Sequence, residues 1–383
     1  MNAIEAKWLV VLYAGKLNTM CEWNGSKCKG LVAVLTREIL GGKFVPLGSF
    51  PSERALAMRF GVSRQTIRQV VKELNRRGLI YSRQGMGTFL TRSGRNLREK
   101  VGLILTGERR TEIGREIREE LVRLANRMGQ TLLFGDASSL NAEACAQSAL
   151  RWAKKFAEEK VSGVILQPVE FLAEAERWNA EIMSVLDGAG VPVVLVDCDV
   201  VSGSRRSRYD VVGIDNFQAG RMLAEHLLEM GAKNMVFLAQ ANYPPTISER
   251  IDGVRDALNG ESGVSLITLP DLSVKRITTE CRRHPGFDAI VCQNDIAAVN
   301  VISALRELRK RVPEDVLVAG FDDVACAPLV EPSLTTIRQP CKHIASRAFD
   351  LLLSRVAKTN VPSEFVCIMP KLTVRKSTSR LMA

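Results

Sequence analysis

Four polar residues in the later part of the chain have the chemistry to hold a polyhydroxylated small molecule. Asp197 ends the apolar run VPVVLVD. Arg250 stands early in SERIDGVRDAL, behind the loop FLAQANYPPT. Asn294 follows FDAIVC in the stretch CQNDIAA, and Asp322 follows VLVAGF in GFDDVACAPLVEPSLTTIRQP. A carboxylate accepts from two neighbouring hydroxyls, a planar guanidinium donates to two acceptors, and an amide does both. A second set lies near the other end. In GVSRQTIRQVVKELNRRG, residues 61–78, Gln65, Arg68 and Lys72 share one side of a helical pattern, with Arg64 at its start. Ile67, Val70, Val71 and Leu74 share the other. Arginine and glutamine match base edges, and arginine and lysine match phosphates. Arg54, early in the preceding PSERALAMRF, offers the same reach.

Positioning such groups requires particular elements. Pro51 and Ser52 start a helix over about 52–60, Gly61 turns the chain, and Ser63 caps a second helix from Arg64. After Gly78, LIYSR and TFLT read as strands joined by Gln84-Gly85-Met86-Gly87. The glycines of that hairpin let backbone approach a minor groove. RSGRNLRE, 92–99, is a polar linker. From 100 onward eight short apolar runs (101–106, 131–135, 163–168, 191–197, 234–239, 264–269, 287–292 and 316–321) alternate with helical patterns at 115–128, 141–159, 216–230, 247–258 and 295–311. Apolar strands separated by amphipathic helices predict an α/β fold with parallel sheets covered on both faces. Eight units exceed one comfortable open sheet, which predicts two doubly wound lobes. Asp197, Asn294 and Asp322 then stand at strand carboxyl ends and converge with Arg250 on one cleft.

Charge divides the chain in the same place. The 383 residues carry a net charge of +11. The first hundred hold 18 Lys+Arg against 6 acidic residues; the remainder hold 35 against 36. A basic front on a near-neutral body implies a polyanionic partner for the front. Nine scattered cysteines, odd in number and without CxxC, fit a reducing cytoplasm better than secretion. The three histidines lie far apart, so no metal site is expected. KWLVVLYAGKL near the N-terminus is too short to span a bilayer and lacks the usual small-residue cleavage site. Residues 1–27 read as a tail, with Met1 and Met20 both open as the start. No P-loop, GxGxxG, nucleophile elbow or HExxH occurs, and adjacent Asp322 and Asp323 make a poor acid/base pair. An enzyme acting on a sugar is therefore the weaker alternative; a pure sugar receptor leaves the basic front unexplained. No catalytic residue and no cofactor are expected.

The stretch PSERALAMRFGVSRQTIRQVVKELNRRGLIYSRQGMGTFL resembles the winged helix of the GntR family of bacterial repressors. The resemblance implies DNA contacts at Arg54, Arg64, Gln65, Thr66 and Arg68, with wing contacts at Gln84 and Gly85. Gln65 replaces a frequent Thr, and PLGSFPSE departs from the usual PGxxLPSE. Residues 100–378 resemble the effector domain of the LacI/GalR repressors, related to periplasmic sugar-binding proteins. VVGIDNFQAGRMLAEHLLEMGAKNMVFLA and GFDD…PSLTTIRQP carry that likeness. It implies effector contacts at Asp197, Arg250, Asn294 and Asp322. It also implies lobes of about 100–213 with 339–363 and 214–338 with 364–378. TGERRTEIG stands where that family has an Asn-Pro-aromatic signature. Arg109 or Arg110 either enters the cleft, favouring an acidic sugar, or stays solvated. Tyr243 is a stacking candidate and equally a plain loop tyrosine. The pairing of the two families occurs in AraR-type repressors. The expected protein is a cytoplasmic homodimeric regulator with a winged-helix unit at 28–91. It binds a pseudo-palindromic site on double-stranded DNA under control of a small carbohydrate.

Overall fold

The structure is a computed structural model that describes residues 24–40, 43–44, 50–83, 87–90, 100–106, 112–128, 130–137, 139, 141–201, 205–258, 264–356 and 362–379. The chain forms two compact units, Met1–Arg95 and Asn96–Ala383. The linker expected at 92–99, the wing tip with Gln84 and Gly85, and Arg109 and Arg110 lie outside the described residues.

The first unit contains α1 (Asn24–Leu40), α2 (Glu53–Phe60), α3 (Arg64–Arg76), β1 (Ile80–Arg83) and β2 (Gly87–Leu90). Helix α1 begins four residues ahead of the boundary expected at 28. Ser52 caps α2 by accepting from the Ala55 amide at 3.2 Å. Gly61 ends that helix at φ 62°, a left-handed geometry that favours glycine. Ser63 then caps α3 through the Thr66 amide at 3.1 Å. Ile67, Val70 and Leu74 are buried, as are Leu35 and Ile39 of α1 and Leu56 of α2, the two helices that pack on α3, whereas Val71 is only half-buried. Strands β1 and β2 pair antiparallel from Ile80↔Leu90 to Arg83↔Gly87. Phe50 takes the place of the usual leucine; it is buried, bridges to Thr88, and packs edge-on against Phe44 with centroids 5.2 Å apart.

The second unit has two six-stranded sheets. Its elements are β3 (Lys100–Leu105), α4 (Glu112–Met128), β4 (Thr131–Asp136), α5 (Ala142–Glu158), β5 (Gly163–Leu166), α6 (Ala175–Gly188), β6 (Val193–Val196) and β7 (Asp210–Ile214). There follow α7 (Asn216–Glu229), β8 (Met235–Gln240), α8 (Pro245–Ala257), β9 (Ser265–Leu269), α9 (Val274–Arg283), β10 (Ala289–Cys292), α10 (Asp295–Glu307) and β11 (Leu317–Asp322). The last are β12 (Thr335–Arg338), α11 (Cys341–Val356), β13 (Phe365–Ile368) and β14 (Lys371–Thr373). Lobe 1 has the order β13-β7-β6-β5-β3-β4, all parallel; lobe 2 has β14-β12-β11-β10-β8-β9, antiparallel only at β14. All eight expected apolar runs are strands. The central runs VVLV and AIVC are fully buried, as parallel strands under helices must be.

The chain crosses between lobes three times, after β7, after β12 and after β13. The third crossing corrects the boundary expected near 363: β13 pairs with β7 through Phe365↔Val211 to Ile368↔Ile214, so lobe 1 extends to Ile368. The helix expected over 295–311 also stops short. It ends at Glu307, with Arg309 at φ 58°, a conformation that cannot continue an α-helix.

Candidate functional site

On the first unit, the exposed side of the helix-turn-helix carries Arg54, Arg64, Gln65 and Arg68. Thr66 is half-buried, its hydroxyl 2.9 Å from that of Ser63. Arg68 is 73% exposed, and its guanidinium lies 3.5 Å from Glu53 at the start of α2, so one helix steadies a cation of the other. Glu73, the one acidic residue of α3, is held at the far end by Arg76 and Arg77 at 2.8 and 2.9 Å. The first two turns of α3 therefore present an outer surface without negative charge.

On the second unit, a cavity of ≈ 810 Å³ is lined by residues of both lobes. Asp197, at φ 77° just beyond β6, accepts from Gln167 Nε2 at 3.2 Å. Asp322 closes β11 at φ 110° and accepts from Gln339 Nε2 at 2.8 Å. Asn294 caps α10, its Oδ1 accepting from the Ala297 amide at 2.9 Å. Arg250 is 6% exposed. Its Nε donates to Asn216 Oδ1 and its Nη1 to the Gln293 carbonyl, both at 2.9 Å, and its guanidinium stacks 3.5 Å from the Phe321 ring centroid. The backbone holds Arg250 there by close helix packing. A Cβ on Gly220 would fall 2.0 Å from the Arg250 carbonyl oxygen, and one on Gly253 would fall 1.9 Å from that of Phe217. Helices α7 and α8 touch backbone to backbone at these two glycines.

Electrostatics in the cavity follow from burial. Desolvation lifts the Asp322 carboxyl to about 7; Arg250 and the Gln339 amide oppose the rise, and Asp197 adds to it. Burial pulls the Arg250 guanidinium below its ordinary value, while Asp322, Asp197 and Glu170 push it back up. Behind the cavity floor, desolvation together with the Asp322 charge lifts Asp295 to about 8. Asp295 accepts from the Val324 amide at 2.9 Å and the Thr336 hydroxyl at 2.6 Å. Among the described residues, no group of His, Cys, Asp or Glu could hold a metal ion. No helix there is long and apolar enough to cross a membrane.

The geometry of both units agrees with known proteins. The pattern of bacterial regulatory proteins, gntR family, matches residues 28–90, and that of the periplasmic binding protein-like domain matches residues 224–378. The chain joins a GntR-family DNA-binding domain to a periplasmic-binding-protein-like domain. It is 26% identical over 358 residues to an arabinose metabolism transcriptional repressor of Geobacillus stearothermophilus, covering 90% of this chain and 95% of the relative. It is 27% identical over 367 residues to the repressor of the same name from Halalkalibacterium halodurans, covering 89% and 94%. A periplasmic binding protein/LacI transcriptional regulator from Alkaliphilus metalliredigens QYMF, complexed with D-xylulofuranose, has the same fold as the second unit. Its TM-score is 0.60 at 22% identity, over 74% of this chain and 100% of that one. The chain is a DNA-binding transcriptional regulator and not an enzyme.

All four residues singled out for the regulator's cleft, Asp197, Arg250, Asn294 and Asp322, line the one cavity. Tyr243 does not; Gln240 and Pro244 on either side of it do. Several lining residues gave no signal in the sequence. Phe134 lies in β4, with the Arg118 guanidinium 5.1 Å from its ring centroid. Phe171 follows β5 at φ 58°. These two give the cavity aromatic surface. Arg115 and Arg118 of α4 bring positive charge to the cavity. Gln167 and Gln339 were legible only as members of apolar or turn segments; their contact with the two aspartates needed the fold.

Proposed function

We propose that this regulator is a repressor whose operator binding is controlled by a small carbohydrate held between the two lobes of its second unit. One observation carries the reading: a single cavity holds Asp197, Arg250, Asn294 and Asp322, on a chain that also bears a GntR-family DNA-binding domain. Each aspartate has a glutamine amide on one oxygen, and a carboxylate has room for further donors such as sugar hydroxyls. The names of the curated relatives make arabinose the first sugar to try, and the xylulofuranose complex of the structural relative supports the wider class. In this reading Arg54, Arg64, Gln65, Thr66 and Arg68, with Gln84 and Gly85 of the wing, contact the operator. The protein works in the cytoplasm as a homodimer on a pseudo-palindromic site, since two-fold proteins read two-fold DNA. The sugar changes operator affinity because it binds the DNA-competent and DNA-incompetent states unequally.

The test is a thermal-shift screen of the full chain against pentoses, hexoses, uronic acids and disaccharides, followed by operator gel shifts with each hit. A ligand at a hundred times its dissociation constant stabilises by about 2.7 kcal/mol, which a melting curve resolves. The expected outcome is a sugar that raises the melting temperature and releases the operator, with both effects lost in Asp322→Ala. An unchanged dose–response in that variant would sink the cleft as the effector site.

A further inference from the structure

We propose that Glu112 is a latch that holds the two lobes together from across the cavity mouth. Glu112 is the first residue of α4 in lobe 1. Its Oε2 accepts a hydrogen bond at 2.6 Å from the backbone amide of Ala325, in lobe 2. Its Oε1 lies 3.5 Å from Arg115 Nη2, which steadies the carboxylate from its own helix. Glu112 and Arg115 both line the cavity, as do Val324 and Cys326 on either side of the latched amide. An amide donating to a carboxylate makes one of the stronger hydrogen bonds available to a backbone group.

The partner amide sits on a loop with little freedom. Asp322 and Asp323 are left-handed, at φ 110° and 54°. Asp322 takes the Gln339 amide at 2.8 Å, Asp323 takes Arg375 Nη2 at 2.6 Å, and the Val324 amide donates to Asp295 at 2.9 Å. Each of the three residues before Ala325 is therefore tied to lobe 2 or to the Gln339 crossing between lobes. The Ala325 amide stands at a fixed offset from Asp322, and Glu112 reaches it only while the lobes are near each other. Ala325 is exposed, so water takes the place of Glu112 as soon as they part. The latch adds to the closed arrangement before any effector arrives. Its regulatory meaning rests on the effector reading above: a ligand drawing on Asp322 and the latch drawing on Ala325 favour the same lobe spacing, and each strengthens the other.

The experiment is amide hydrogen exchange on the full chain without sugar or DNA, comparing wild type with Glu112→Ala and Glu112→Gln. Loss of the latch speeds exchange at Ala325 by about tenfold or more, the scale of a hydrogen bond to a charged group. Glu112→Gln, whose amide oxygen still accepts, falls between. The Val324 amide is bonded inside lobe 2 and serves as the internal reference, unchanged in all three proteins. Equal exchange at Ala325 in wild type and Glu112→Ala overturns the latch, as does an acceleration shared by Val324, which would mean general loosening of the loop. A failed sugar screen beside the expected Ala325 result counts against the effector reading alone.

Discussion

Asp322 is 6% exposed and faces Arg250, Gln339 and Asp197, and its carboxyl is lifted to about 7 by desolvation above all. A carboxyl raised in the folded state holds its proton more tightly there than in the unfolded chain. Stability is therefore fully present below the ordinary value of 3.8 and falls as pH rises toward 7. Asp295, lifted to about 8, acts in the same direction and extends the window upward. The contribution of these two carboxyls to the melting temperature of the sugar-free protein should fall from pH 3.8, their ordinary value, to about 8, the higher of the two raised ones. Asp322→Asn should show a shallower drop in the same scan; parallel curves would mean that this carboxyl is already ionised across the range. On the first unit, Arg68 is the exposed cation steadied by Glu53. Arg68→Ala should weaken specific operator binding by about 1–3 kcal/mol, the worth of a good base contact, while sugar-induced stabilisation stays as in wild type. Equal operator affinity in a gel shift would remove this side chain from the reading face.

At the level of elements, the cavity depends on how closely α7 and α8 approach. Gly253→Ala puts a methyl group where the Phe217 carbonyl stands. Separating the helices should cost about 1–3 kcal/mol by urea unfolding, and it should carry Arg250 away from Gln293 and weaken any sugar that stabilises the wild type. A variant as stable and as responsive as wild type would show that the helix pair yields without moving Arg250. The strands that form this frame were legible because parallel strands under helices are continuously apolar: VVLV and AIVC sit in apolar runs too short for a helix, each following a glycine. Helix α3 was legible through its serine cap and its 3.6-residue spacing. The less visible elements are short or mixed. TTIR of β12 and KLT of β14 are polar enough to pass for loop, and α11 shows its burial only once β5, β6 and β7 lie beneath it. Of the cavity, the residues at strand ends could be placed from the sequence. Phe171, Gln339 and Glu112 could not, because their approach depends on left-handed turns and lobe crossings that leave no spacing in the chain.

For the whole molecule, the charge excess of the first hundred residues predicts a steep dependence of operator affinity on salt. Each phosphate held by lysine or arginine releases counterions, so affinity should fall about 10³–10⁵-fold from 50 to 200 mM salt if six to ten phosphates are neutralised. A nearly flat salt dependence in a fluorescence titration would place the basic front off the DNA. The three crossings between lobes have another consequence. The first unit is contiguous, and its last strand ends at Leu90. Neither lobe is complete until β13 and β14 have been made, at residues 365–373. During synthesis the DNA-reading head is free to fold while most of the body still waits for its final strands. A premature stop anywhere in between leaves an intact head attached to a body that never forms a cleft. Nonsense alleles spread over three-quarters of the gene should then behave alike, as products that have lost the ear but kept the hand.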